Sequence, residues 1–105
     1  MKTLKVKIDD KEFHLSALTL GDFLNFGETF EKFNSNSLSV VEQAKFGLDI
    51  IYASLKRYHK ELKKEELLEI LELDHIAELL PKIFNHSEFV KKQDEENNNH
   101  EEKKN

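Results

Sequence analysis

Apolar and polar residues alternate at the start of the chain in two short runs separated by the turn-forming segment 9–11 (DDK). This alternation predicts a β-hairpin with strands at about residues 4–8 and 12–15. One face of the hairpin is apolar and carries Leu4, Val6, Ile8, Phe13 and Leu15. Because a two-stranded ribbon is marginally stable alone, this face is expected to pack against helices.

The first predicted helix, residues 20–33, has an unusually broad apolar surface. Thr19 and Asp22 predict its start, since the hydroxyl can accept an unpaired N–H and the carboxylate favours the positive helix end. One apolar cluster on the helical wheel comprises Leu20, Phe23, Leu24 and Gly27. Three phenylalanines widen the apolar arc to about half the circumference: Phe26, Phe30 and Phe33. The helix is therefore either sandwiched or leaves part of its aromatic edge for a partner.

A long second helix is predicted over residues 40–58, with Ser39 and Glu42 matching a capping box. Phe46 and Ile50 lie almost opposite its main apolar stripe, so we expect a central helix that is covered on two sides. The main stripe consists of Val41, Ala44, Leu48, Ile51, Tyr52 and Leu55.

Two shorter helices are predicted over residues 64–72 and 75–85. Asp74 is the expected cap of the second one, and Pro81 predicts a kink or a break just before it. The residues expected to face inward are Leu67, Ile70, Leu71, Ile76, Leu79, Leu80 and Ile83.

The end of the chain differs from the rest because residues 91–105 contain no apolar side chain. Such a segment cannot bury enough surface to offset its ordering entropy, so it is predicted to be a disordered charged tail. The expected fold class is mainly α: a small four-helix domain with an N-terminal β-hairpin, spanning residues 1–90, followed by the disordered C-terminal tail.

Length and composition narrow the functional classes. The 105 residues suffice for one small core, and the absence of cysteine excludes disulfides and thiolate metal sites while suiting a reducing cytosol. The opening MKTLKVKIDD lacks the continuous apolar stretch of a secretion signal. No segment approaches the roughly 20 apolar residues of a membrane span. A soluble intracellular protein with no membrane partner is expected.

A basic cluster lies at the end of the second predicted helix and consists of Lys56, Arg57, His59 and Lys60. The net charge of −5 has the wrong sign for a phosphate-binding protein, and cations are favourable near the carbonyls of a helix end. A charged helix terminus before a bend is therefore favoured over a phosphate-binding patch or a rim for an acidic partner. No nucleic-acid partner is expected.

No arrangement of residues in the sequence points to catalysis. His75 and Glu78 are one helical turn apart, but two ligands without a third make a weak metal site. The carboxylates alternate with lysines, the serines lack a nucleophile-elbow context, and the three glycines build no phosphate loop. We predict no enzyme activity, no catalytic residue, no metal and no cofactor.

The apolar surplus is the remaining unusual feature. The candidate partner-binding residues are Phe26, Phe30 and Phe33, with Phe46 and Ile50 as a second patch for another helix or another copy. The alternative is that the small core consumes all of these side chains.

The order of elements resembles a known family over about residues 4–85. The segments VKIDDKEFHLSALTLGDFLNF, GLDIIYASLKRYHKELKKEELLEILEL and DHIAELLPKIF resemble the tail assembly chaperones of long-tailed bacteriophages that infect Gram-positive hosts. The resemblance rests on a hairpin leading into LTLGD, an aliphatic helix leading into SLKRYHKEL, and EELLEIL followed by a short helix. Lys63, where relatives tend to have a small hydroxyl cap, and Pro81 depart from the pattern.

This resemblance implies a helical protein that binds the long tape measure protein, keeps it soluble and helps to recruit tail tube subunits. It also implies self-association into a spiral, action in the host cytoplasm and absence from the finished virion. Many members have a longer form made by ribosomal frameshifting. The alternatives are a head or tail completion protein retained in virions and a small nucleic-acid-binding regulator.

Overall fold

The computed structural model describes residues 3–87 and has the predicted arrangement of a hairpin followed by four helices. The predicted tail at 91–105 lies outside the described residues. The elements are β1 (Thr3–Ile8), β2 (Lys11–Ser16), α1 (Leu20–Asn34), α2 (Val40–Leu55), α3 (Lys64–Ile70) and α4 (Leu73–His86).

The hairpin has the predicted register and face. Its strands are antiparallel, and Val6 lies opposite Phe13. Asp9 and Asp10 form the two-residue turn and both have positive φ angles, 54° and 66°. A tight turn of this kind needs positive φ at both positions because its twist then matches that of the strands, and Asp tolerates that conformation better than most residues.

The edge of β2 that does not pair with β1 is bonded to residues at and beyond the end of α2. The hydroxyl of Ser54 donates to the backbone carbonyl of Ser16 at 2.5 Å, and both residues are fully buried. The backbone N–H of His14 donates to Nε2 of His59 at 2.9 Å. These bonds satisfy backbone groups that would otherwise be left unpaired at a sheet edge.

The start of α1 has the predicted capping box. Oγ1 of Thr19 accepts the N–H of Asp22 at 3.2 Å, and Oδ2 of Asp22 accepts the N–H of Thr19 at 2.9 Å. Arg57 adds an ion pair to Asp22 at 3.0 Å and donates to Oγ1 of Thr19 at 3.1 Å. Burial acts to raise the pKa of Asp22, but the Thr19 N–H and the Arg57 guanidinium outweigh it, so the pKa is lowered. Arg57 thus attaches the start of α1 to the segment that follows α2.

The core lies between the hairpin, α2 and α4, and α3 closes it with Leu67. As predicted, α2 is central, because its second half is buried on several sides. The buried apolar residues are Ile8, Phe13, Leu15, Leu18, Phe46, Ile50, Ile51, Ala53, Leu55, Leu67, Leu79, Leu80, Ile83 and Phe84.

Helix α2 is shorter than predicted and ends at Leu55 instead of residue 58. The backbone N–H groups of Tyr58 and His59 both bond to the carbonyl of Leu55, which turns the chain away from the helix axis. The basic cluster therefore lies on this turn and in the segment after it.

Helix α4 differs from the prediction at its start and at its proline. It begins at Leu73, so Asp74 lies in the first turn and is not the cap; instead, Nδ1 of His75 accepts the N–H of Glu72 at 2.9 Å. Pro81 causes no break, since α4 continues to His86. The carbonyl that loses its bond belongs to Ala77, an exposed residue. The buried neighbours Leu79, Leu80 and Ile83 hold the helix on the core.

The pair Ser16 and Ser54 offers a matched test of the hairpin's attachment to α2. Ser54→Ala leaves the buried carbonyl of Ser16 without its partner and should lower the free energy of unfolding by about 1–3 kcal/mol. Ser16→Ala removes a buried Oγ that has no hydrogen-bond partner among the described residues. That change should be neutral or stabilising by up to about 1 kcal/mol. Urea denaturation measures both, and equal losses for the two variants would contradict the assignment.

Candidate protein-docking groove

The second predicted binding patch is not on the surface. Phe46 is 3% exposed and Ile50 is fully buried, so both belong to the core. The expectation that they form an exposed patch is therefore wrong. For Phe46 and Ile50 the alternative is correct, since both side chains are buried in the core. The reason is that α2 is flanked by helices and by the hairpin, which cover the side opposite its predicted main stripe.

The three phenylalanines of α1 are half-buried and face the core. The ring of Phe30 lies 4.8 Å from that of Phe84, and Phe33 and Phe26 lie 5.5 and 6.4 Å from Phe46. They are spaced i, i+4 and i+7, which places them on one helix face. Three phenylalanine rings remove more apolar area from water than the leucines on the other edge of α1 can. The phenylalanine edge is therefore the one that packs against the core. Their binding role stays a prediction.

The exposed edge of α1 is instead the one that carries Leu20 and Leu24, which are 73% and 74% exposed. Gly27 completes this edge without adding a side chain. No residue of α1 is fully buried. The sequence correctly indicates that α1 has more apolar surface than one contact needs. The exposed part is the edge of Leu20 and Leu24, together with Phe23, which is 42% exposed, and not the edge of Phe26, Phe30 and Phe33.

A larger apolar surface lies between α2, α3 and α4. It is a concave groove with a cavity volume of about 580 Å³. Four of the large side chains that line it are between 62% and 67% exposed: Val40, Val41, Leu68 and Leu73. The full lining is Val40, Val41, Ala44, Lys45, Leu48, Leu67, Leu68, Leu71, Glu72, Leu73 and Ile76.

The groove continues along α4 into a second cavity of about 360 Å³. The two cavities share Val40, Ala44, Leu73 and Ile76, so they form one surface. The second part extends the groove to Pro81 and to the edge of the phenylalanine cluster at Phe33. We refer to the combined surface as the α2–α4 groove.

Comparison of this chain with protein-family models, with curated proteins and with solved structures finds no match. Across residues 3–87, no helix combines the length and the apolar character that crossing a membrane requires.

Two contacts hold the groove's walls in place. Leu67 is fully buried and anchors α3, which turns the next residue, Leu68, about 100° away from the core. Lys64, at the start of α3, pairs with Asp49 of α2. Because both charged side chains are partly exposed, this ion pair orients α3 more than it stabilises it.

The hydrophobic pattern places Val41 on the main apolar stripe of α2 and predicts no separate role for Leu68 or Leu73. The sequence signal for these exposed residues is two pairs of adjacent apolar residues, Val40-Val41 and Leu67-Leu68. Neighbours on a helix point about 100° apart, so a narrow contact cannot bury both. At these two places, near the starts of α2 and α3, the second residue of the pair is exposed, whereas Leu79-Leu80 in α4 is buried at both positions.

The charges around the groove are unevenly distributed. Glu65 and Glu69 are exposed on α3 beside Leu68, and Glu72 lines the groove directly. The wall formed by α2 contributes Lys45. Within residues 3–87, no cluster of three or more potential ligands could hold a metal ion. The groove thus offers apolar contact with an acidic wall on one side.

The basic cluster does not form one shared surface. Arg57 is bonded to Asp22, Thr19 and the carbonyl of Ala53. Lys56 lies 5.7 Å from the centre of the Tyr52 ring, on a different side from Arg57. His59 faces the hairpin.

His59 forms a small aromatic cluster at the edge of β2. Its ring contacts Phe13 edge-on at 5.3 Å, and His14 stacks on Tyr58 at 4.2 Å. Since Nε2 of His59 accepts the N–H of His14, the bonded ring must be neutral. Burial and the neighbouring His14 lower the pKa of His59 below its ordinary value of 6.5.

A pH-dependent loss of stability follows from the lowered pKa of His59. Between its folded-state pKa and 6.5, the unfolded chain binds more protons than the folded chain, so the free energy of unfolding falls as the pH drops through this interval. His59→Gln retains an acceptor for the His14 N–H without titrating. Its loss of stability between about pH 7.5 and 5.5 should be smaller than that of the wild type. Urea denaturation at several pH values measures this, and identical slopes would exclude His59 as the cause.

Proposed function

We propose that this protein is a phage tail assembly chaperone that binds the tape measure protein, keeps it soluble and helps to recruit tail tube subunits. The resemblance over residues 4–85 supports this function. The structural observation that supports it is the open, apolar α2–α4 groove.

The physical requirements of such a chaperone match a groove of this kind. A tape measure protein is a long helix with apolar stripes, which aggregates unless they are covered before the tube forms around it. An amphipathic helix can place such a stripe in an apolar groove. Many weak contacts along one client give high avidity while each remains reversible, because linked binding events raise the effective concentration.

The remaining features of the proposal follow from this role. The chaperone acts in the cytoplasm of the bacterial host, self-associates along its client and is absent from the finished virion. The exposed Leu20 and Leu24 on α1 supply an apolar surface outside the groove that could serve the tube subunits or another copy. The net charge of −5 favours solubility of a crowded assembly.

Co-expression with the cognate tape measure protein, sought among the genes next to the one that encodes this chain, tests the function. We expect a larger soluble fraction of the tape measure protein and co-purification of the two chains, because the groove covers the client's apolar stripes. An unrelated acidic helical protein of similar size serves as the control. No gain in solubility over that control, together with no co-purification, would refute the proposed function.

A further inference from the structure

The dimensions of the α2–α4 groove suit a short helical segment. Along α4 the groove runs from Leu73 to Pro81, which corresponds to about 12 Å of helix. Two turns of a docked helix cover that length and would present apolar residues at spacings of three and four. Ala44 lines both parts of the groove, and its small side chain leaves room for the larger side chains of an occupant.

The chain's own remaining residues are poorly suited to fill the groove. After Ser87, only Phe89 and Val90 are apolar, and residues 91–105 contain none. Ser87 bonds to the backbone of Leu18 near the hairpin, at the opposite end of α4 from Leu73. Residues 88–105 therefore do not carry an apolar stripe long enough to fill the groove.

A second copy of this chain is also disfavoured, for reasons of charge. The most exposed apolar edge of the described chain outside the groove is that of Leu20 and Leu24. On the helical wheel, Glu28 and Glu31 lie within about 40° of Leu24. Docking this edge in the groove would bring these carboxylates towards the acidic α3 wall, and like charges at a contact are unfavourable.

The same acidic wall defines the chemistry of a suitable partner. Glu72, just after α3, lines the groove, and Glu65 and Glu69 are exposed on α3 beside Leu68. Lys45 lines the groove along α2. A complementary helix has Lys or Arg beside its apolar stripe on the side that meets α3, and an uncharged or acidic residue on the side that meets Lys45.

We infer that the α2–α4 groove binds an amphipathic helix of a different protein whose apolar stripe is flanked by basic residues on the side that faces α3. This inference rests on the proposed chaperone function, for which it identifies the client-binding surface and the chemistry of the bound client segments.

Titration of the isotope-labelled full chain, followed by NMR, tests the inference with two sets of probes. The first set is a pair of designed helical peptides of about 16 residues with the same leucine stripe, flanked by lysines in one and by glutamates in the other. The second set is overlapping peptides of the tape measure protein. Binding of the lysine-flanked peptide should shift the amide signals of Val41, Ala44, Leu68 and Leu73.

The two designed peptides should differ in affinity. We expect the lysine-flanked peptide to bind about fivefold more tightly at low salt, the scale of a few exposed ion pairs, and the difference should shrink at high salt. Glu69→Lys combined with Glu72→Lys should reverse the preference. Equal affinities, or no binding of either designed peptide, would overturn the inference.

Two leucines of similar exposure provide matched variants. Leu68→Ser removes an apolar side chain from the groove wall, whereas Leu24→Ser makes the same change on α1. Both variants should keep the wild-type melting temperature, and only Leu68→Ser should weaken peptide binding. Equal weakening by the two variants would contradict the inference, because the groove would then have no specific role in binding. Signal shifts confined to Leu20 and Leu24 would place the binding surface on α1 and would also contradict it.

The tape measure peptides separate this inference from the proposed function. If they bind at Leu20 and Leu24 but not in the groove, the chaperone function stands and the inference falls. If none of them binds while the lysine-flanked peptide fills the groove, the groove's chemistry stands and the proposed client falls.

Discussion

The close approach of α4 to α2 at Gly47 determines the arrangement of the helices. A Cβ atom on Gly47 would lie 2.4 Å from Cγ2 of Ile76, which is too close for any real contact. Ile76 is β-branched and has few rotamers with which to avoid a clash. With this contact in place, Phe84 near the far end of α4 stacks at 6.3 Å from Phe46 of α2. The beginnings of the two helices then form the walls of the groove.

The contact between α2 and α4 also determines which apolar residues are buried in the core. Phe46 and Phe84 both contact the half-buried rings of α1 and each other, so the aromatic residues form one cluster on one side of α2. The aliphatic residues at the start of α2 and on α3 lie on another side, where no further helix of the described chain covers them. A small domain with six short elements has too few layers to cover a central helix completely.

The sequence predicts the elements and their starts better than their faces. Alternation and the DDK turn identify the hairpin, and two capping boxes identify the starts of α1 and α2, because these signals depend on neighbouring residues alone. The exposed edge of α1 could not be chosen from the sequence, since Phe30 and Leu24 are both apolar and the choice depends on Phe84, more than 50 residues away. Likewise, the burial of Phe46 and the exposure of Val41 depend on where α4 crosses α2.

A double-mutant cycle at the contact of α2 with α4 tests this account most directly. Gly47→Ala and Ile76→Ala should each lower the free energy of unfolding, the first through a clash and the second through lost apolar contact. The double variant gives the new methyl group the space that Ile76 vacates, so its loss should be smaller than the sum of the single losses by at least about 0.5 kcal/mol. Strictly additive effects of the two substitutions would show that the two helices do not meet at this point and would remove the basis for the groove, because the helix propensity gained by Gly47→Ala is the same in both backgrounds.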